Sequence, residues 1–371
     1  MARLSALFCL CIIQLSGFSP LSAQEPALHK FAVSAGFHHG FIIPHRTSVE
    51  ALLQKHINGF EADLIYKTNG TKEWQRAYLL PETGISIAVW DLGNKDQLGK
   101  AVSFIPYIDF ALTKGKSVSF DLRFGWGISF IEKKFDIEDN HKNLAIGTHF
   151  NYSIMIHPHV KWELNDRLAL STGFGLTHFS NGALTMPNLG LNLVTATGAL
   201  TYAFGSKQQI NSTTDSASYH KSPYWNFYAA FGIKEIYPVG GSHYLAYTLY
   251  ADRSYRISRK SSFGFGTDLF FDKSDLVKIE EQTHEPASSP EAVKIGLHGT
   301  YELNISKLSF TFNMGGYLYA KVTTAGSIYH RIGTRYQISD KLFACLNLKT
   351  HFGKADYVEW GIGYTIRKKH S

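Results

Sequence analysis

Along most of this chain, bulky apolar residues alternate with small or polar ones. Between 117 and 130 one row reads Val118, Phe120, Leu122, Phe124, Trp126, Ile128 and Phe130; the other reads Ser117, Ser119, Asp121, Arg123, Gly125, Gly127 and Ser129. A strand sends successive side chains to opposite faces, so a period of two predicts a β-strand with one apolar and one polar face. Near the C-terminus Val358, Trp360, Ile362, Tyr364 and Ile366 repeat the pattern, backed by Glu359, Gly361, Gly363 and Thr365. A soluble sandwich rarely strings seven bulky groups along one strand with Asp and Arg behind them. Lipid outside and a polar interior account for both rows.

By this criterion about sixteen strands are predicted, starting near 30, 57, 84, 102, 116, 147, 167, 192, 222, 241, 259, 293, 307, 327, 340 and 355. Short polar turns fall at 113–116, 165–167, 256–260, 304–307 and 339–341, and long loops at 45–56, 131–145, 181–191 and 273–292. The two kinds fall on opposite ends of the strands. Transmembrane barrels have this asymmetry, with short periplasmic turns and longer outer loops. The expected fold is therefore an all-β, antiparallel transmembrane β-barrel. A polar stretch over 206–222, rich in Ser, Thr and Lys, divides a half at 24–205 from a half at 223–371. Trp162-Glu163-Leu164-Asn165-Asp166-Arg167-Leu168 parallels Tyr336-Gln337-Ile338-Ser339-Asp340-Lys341-Leu342. A Thr-His-Phe follows each, ending at Phe179 and Phe352, with a spacing that differs by one residue. Recurring hairpin turns account for such a parallel as readily as kinship does. One barrel of about sixteen strands and two eight-stranded units in tandem both remain open.

Composition narrows the class. Aromatic residues make up 14% of the chain, with 20 Tyr and 26 Phe, as lipid-facing strands require. After Gln24 no apolar run approaches about 18 residues, so no transmembrane helix is offered. The first 23 residues read as a cleaved secretory signal: Arg3, an apolar run from 4 to 18, then Pro20-Leu21-Ser22-Ala23. Cys9 and Cys11 would leave with it, and Cys345 alone has no partner for a disulfide. A net charge of +7, spread along the chain, suits an anionic lipid surface and gives little support to a nucleic-acid partner.

One strand carries candidate chemistry. Its bulky row runs Leu168, Leu170, Thr172, Phe174, Leu176, and continues as His178 and Ser180 at the outer-loop end. An imidazole and a hydroxyl facing lipid cost stability, and at i and i+2 they share a face. Asn192 opens the corresponding row of the next strand, at the same end. A hydroxyl nucleophile, a base and a group that orients the base make up the recurring arrangement for acyl transfer. Ser180, His178 and Asn192 fit these roles, at the depth where lipid esters lie. His149, His157 and His159 alternate with Asn151 and Ser153 and read as polar lining of a barrel interior rather than metal ligands; His38, His39 and His351 read as structural or lumenal. No cofactor or metal is implied.

His178-Phe179-Ser180-Asn181 followed by Pro187-Asn188-Leu189-Gly190 resembles the His-x-Ser-Asn and Pro-Asn-x-Gly signature of outer-membrane lipid A 3-O-deacylases of the PagL type. The stretches at 89–99 and 348–364 look like the larger Bacteroidetes members, the acyloxyacyl hydrolases. The small deacylases are single eight-stranded barrels and resemble only the first half. The resemblance implies lipid A (lipopolysaccharide) as substrate and Ser180 and His178 as nucleophile and base. It also implies Asn188, with the backbone N–H near Asn181, as stabilisers of the oxyanion. Asn192 departs from it: the small deacylases carry Glu there, whereas outer-membrane phospholipase A has the same His-x-Ser spacing and uses Asn. A phospholipase, which would bring calcium with it, is therefore the alternative within the same chemistry. A non-catalytic barrel, either a channel or a lipid-binding protein, is the alternative outside it.

Overall fold

The computed structural model describes residues 28–115, 117–211, 222–323 and 326–367. The expected export segment and most of the polar connection lie outside the described residues. Alternation becomes strands β1 Leu28–Ile42, β2 Ile57–Lys67, β3 Glu82–Asp91, β4 Lys100–Lys114, β5 Val118–Ile131, β6 Phe150–Glu163, β7 Leu168–Ser180 and β8 Leu191–Gln208. After the connection come β9 Tyr224–Glu235, β10 His243–Arg256, β11 Ser261–Asp272, β12 Val293–Ile305, β13 Leu308–Ala320, β14 Ile328–Gln337, β15 Leu342–His351 and β16 Lys354–Arg367. The largest displacement from expectation is at β6, which starts at Phe150 rather than near 147.

The strands do not form one wide cylinder. β8 pairs back onto β1 and β16 onto β9, closing two antiparallel eight-stranded barrels in tandem. An eight-stranded barrel is just narrow enough for side chains to fill, and the polar rows fill both. In the first, Arg123 donates to Glu61 at 3.0 Å and Asp63 at 2.9 Å, with Asp109 at 3.4 Å. In the second, the fully buried Arg331 lies 2.8 Å from Asp268 and 3.3 Å from Glu359. These ion pairs set opposite charges against one another away from water, and filled interiors argue against a channel. The first barrel runs on to Gln208, past the expected limit at 205, because Leu28 pairs with Gln208 and His29 Nδ1 meets the Gly205 carbonyl at 2.8 Å.

His157 and His159 lie in the first interior as expected, and His159 stands 3.4 Å from Asp109. His149 does not. It precedes β6, bonds the Ile131 carbonyl and stacks on the outward ring of Phe130. The two similar turns occupy equivalent places, between the sixth and seventh strands of each barrel. In each, two successive N–H groups return to one carbonyl, that of Leu168 or Leu342. The one-residue offset puts the two histidines on opposite faces: His351 is buried inside the second barrel, bonded to Tyr317, whereas His178 faces out. Gly353 stands where the serine would be.

Several connections hold more structure than alternation reveals. The β2–β3 connection, on the short-turn side, contains helix α1 at Glu73–Ala77, and Tyr78 just after it packs with Ile108 and with Ile305 of the second barrel. The Tyr78 hydroxyl donates to the Asn304 carbonyl at 3.0 Å, so this segment ties the barrels together. At the opposite end, Val49, Leu52, Leu92, Leu98, Ile146, Phe179 and Leu191 form an apolar plug beneath the outer loops of the first barrel. Asn94 of the Asp91-Leu92-Gly93-Asn94 turn fastens it, donating to the Leu52 carbonyl and accepting from Gln97 N–H. The plug anchors the ends of β7 and β8, where the candidate chemistry lies. No helix of the described residues is long and apolar enough to cross a membrane.

Candidate active site

β7 reaches the outer end with its rows sorted. Thr177 and Phe179 are buried toward the interior, while Phe174 (68% exposed) and Leu176 face out, and His178 and Ser180 continue that outward row. Antiparallel register then selects their neighbours. His178 lies directly across from Asn192 on β8, and Ser180 directly across from Tyr152 on β6. Opposed residues on one face are the closest cross-strand pairs. Accordingly His178 Nδ1 meets Asn192 Oδ1 at 2.7 Å. If Asn192 accepts there, Nδ1 carries the proton and Nε2 is left basic. The other end of the Asn192 amide, Nδ2, stands 3.3 Å from His45 Nδ1, and His45 Nε2 stands 3.1 Å from the Leu189 carbonyl. His45, in the loop after β1, is thus part of the site; no spacing in the sequence pointed to it.

The 181–190 loop turns back over the serine. Gly190, at φ +75°, lies against the imidazole, and a Cβ there would come within 2.8 Å of His178 Cε1. Asn188 Nδ2 donates to Ser180 Oγ at 2.9 Å, and Gly182 N–H donates to the same oxygen at 3.1 Å. The Asn181 N–H, expected near the oxyanion, instead donates to Asn188 Oδ1 at 3.1 Å and so aims the Asn188 amide at Ser180. The backbone donor at the serine is one residue further on, because positive φ at Gly182 and Ala183 turns that N–H inward. Among the described residues Ser180 Oγ makes no hydrogen bond to His178; its partners are the two N–H donors. Alternate strand residues stand about 6.7 Å apart at Cα. Rotation about the serine side-chain bond is what brings the hydroxyl toward the ring, and such bonds commonly tighten only with substrate bound.

Charge and support also arrive from the second barrel. Glu235, at the end of β9, accepts from Met186 N–H at 2.9 Å and from Gly240 and Gly241 N–H, and its own N–H donates to the Ala183 carbonyl at 3.1 Å. The one cluster of metal-ligating type among the described residues, Asp109, Asp121 and His159, lies inside the first barrel beside Arg123 and Lys161 and does not face the serine.

Residues 58–201 match the family model for lipid A 3-O-deacylase (PagL), and residues 223–368 match that for the C-terminal domain of acyloxyacyl hydrolase. Among solved structures the chain is similar to the outer membrane enzyme PagL, at 16% identity and a TM-score of 0.30, over 45% of this chain and 97% of that one. It is also similar to Neisserial surface protein A, at 10% identity and a TM-score of 0.32, over 47% of this chain and 97% of that one. A Rhodopseudomonas blastica porin aligns over 91% of this chain at 8% identity and a TM-score of 0.17. A search of proteins of curated function finds no match.

Proposed function

Because this chain belongs to the PagL-type lipid A 3-O-deacylase family of outer-membrane barrels, we propose that it hydrolyses an ester-linked acyl chain of lipid A, with Ser180 as nucleophile. The observation that carries this reading is the convergence of two N–H donors, from Asn188 and Gly182, on a hydroxyl that faces lipid at the outer end. His178 Nε2 takes the serine proton as Oγ attacks the ester carbonyl. Asn188 Nδ2 and Gly182 N–H then stabilise the oxyanion of the tetrahedral intermediate. His178 returns the proton to the departing sugar alcohol, and water, activated by the same imidazole, releases the fatty acid. Asn192 keeps the imidazole in the productive tautomer. Being neutral, it stabilises imidazolium less than a carboxylate would. The reaction so written needs no cofactor.

Lipid A from cells expressing the wild type should lack one acyl chain relative to cells expressing Ser180→Ala, with the rate down at least about 10⁴-fold in the variant. Mass spectrometry of both lipid A and phospholipids reads the result. Asn192, in place of an acid, favours phospholipase activity as the second reading. Ser180-dependent, calcium-dependent release of lysophospholipid with unchanged lipid A would put that reading first. Identical lipid profiles from both strains would leave a barrel without catalysis.

A further inference from the structure

The second barrel has the frame of the first without its outward His-Ser pair, yet its outer end meets the first barrel beside the serine. On β16 the outward row runs Val358, Trp360, Ile362. Trp360 is 52% exposed and Ile362 67%, but Val358 only 7%, because the Gly182 turn covers it. A Cβ at Gly182 would lie 2.4 Å from Val358 Cγ2. Just below this contact the two walls stand apart except where the Tyr152 hydroxyl reaches Trp360 across them. They leave a cavity of about 260 Å³ lined by Tyr152, Asn181, Gly182 and Leu184 on one side, and by Phe231, Ile233, Val358 and Trp360 on the other.

The crevice borders the site. Tyr152 is the cross-strand partner of Ser180, and Gly182 supplies an N–H to its hydroxyl. It also has a direction. Trp360 pairs with Phe231, one rung further from the loops than Val358 and Ile233. A rung of two residues advances about 6.7 Å along the strands. The polar end, at Asn181 and Gly182, therefore sits at the level of the serine, and the apolar end descends toward the hydrocarbon. The Glu235 bonds to Met186 and Ala183 hold the loop wall against the second barrel, so the crevice has a fixed width.

We propose that this inter-barrel crevice receives the acyl chain of the ester cleaved at Ser180, and that Phe231, Ile233 and Trp360 of the second barrel set the chain length accepted. The proposal rests on the Ser180 hydrolase reading. Its ester end meets the two N–H donors while its methylenes leave the bilayer for a wall of aromatic and branched side chains. Because the bilayer is already apolar, chain length is read by how well the methylenes pack against that wall rather than by their removal from water.

The test uses the full chain, refolded in detergent, and p-nitrophenyl esters of increasing acyl length. Ile233 is exposed and lies in the outward row of β9, so substitutions there spare the packed interior of the barrel. Ile233→Trp, which fills the crevice, should shift the preferred ester to shorter chains. Ile233→Ala should shift it to longer ones, each by several-fold in relative kcat/KM. Ser180-dependent hydrolysis with a length profile that neither variant moves overturns the crevice and leaves the hydrolase standing. Wild-type protein that shows no Ser180-dependent hydrolysis of any ester overturns both.

Discussion

The residues of the candidate site hold one another in a chain of hydrogen bonds. Asn188 is held by Asn181 N–H at one end of its amide and bonds Ser180 at the other, so its donor direction is set before substrate arrives. An oxyanion donor fixed in this way acts on the transition state far more than on the bound ester. Asn188→Ala should therefore lower kcat by about 10²–10³-fold with little change in KM. Steady-state kinetics on one soluble ester distinguishes this from a binding defect, which would raise KM at constant kcat. That Ser180, His178 and Asn192 share the outward face at one end of neighbouring strands was legible in the chain, because alternation states which way each side chain points. The exact backbone donor was not. Which N–H faces Ser180 depends on the left-handed turn at Gly182 and Ala183, and His45 enters only because the loop after β1 folds over β8.

At the scale of elements, strands and loops were read unequally. Strand starts followed from period two to within three residues, since facing is a local property of the backbone. The connections carry helices that no alternation announces: α1, the single turn Thr47–Glu50 and the longer Lys273–Thr283. The 181–190 loop is the element that carries both N–H donors to Ser180, and the proposed activity rests on it. It carries no regular structure, so its shape comes from what clasps it. Glu235 is that clasp: a buried carboxylate serving three N–H groups from two loops. Glu235→Ala leaves those donors unpaired and lets the loop drift. Misplacement of about 1 Å can cost about 10²-fold in rate, and a fall of that order in kcat is expected. Glu235→Gln keeps one acceptor oxygen and should recover part of it. Equal loss in both variants would mean that the negative charge matters rather than the geometry.

For the whole molecule, the decisive fact is that two closed barrels stand side by side, fastened by Tyr78 at one end and by the Gly182 turn at the other. The contact at Gly182 makes a testable coupling. Gly182→Ala adds a Cβ against Val358 and forces a left-handed backbone, at a cost of about 1–2 kcal/mol for the backbone alone. Activity should drop. Adding Val358→Ala should restore the steric part, so the double variant should exceed the additive expectation by about 0.5–3 kcal/mol in transition-state stabilisation. Strict additivity in kcat/KM would show that the barrels do not meet there in solution. The sequence by itself determined the strands, their outward and interior rows, and the end of the first barrel at which Ser180, His178 and Asn192 line up, all consequences of a two-residue period and of neighbours along one chain. Tertiary structure alone decided that the sheet closes twice rather than once, that Gly182 supplies the second N–H, and that a wall from β9 and β16 stands beside the serine. Closure and apposition join residues far apart in the chain through hydrogen bonds and packing, and a local pattern carries no record of which distant partner will complete it.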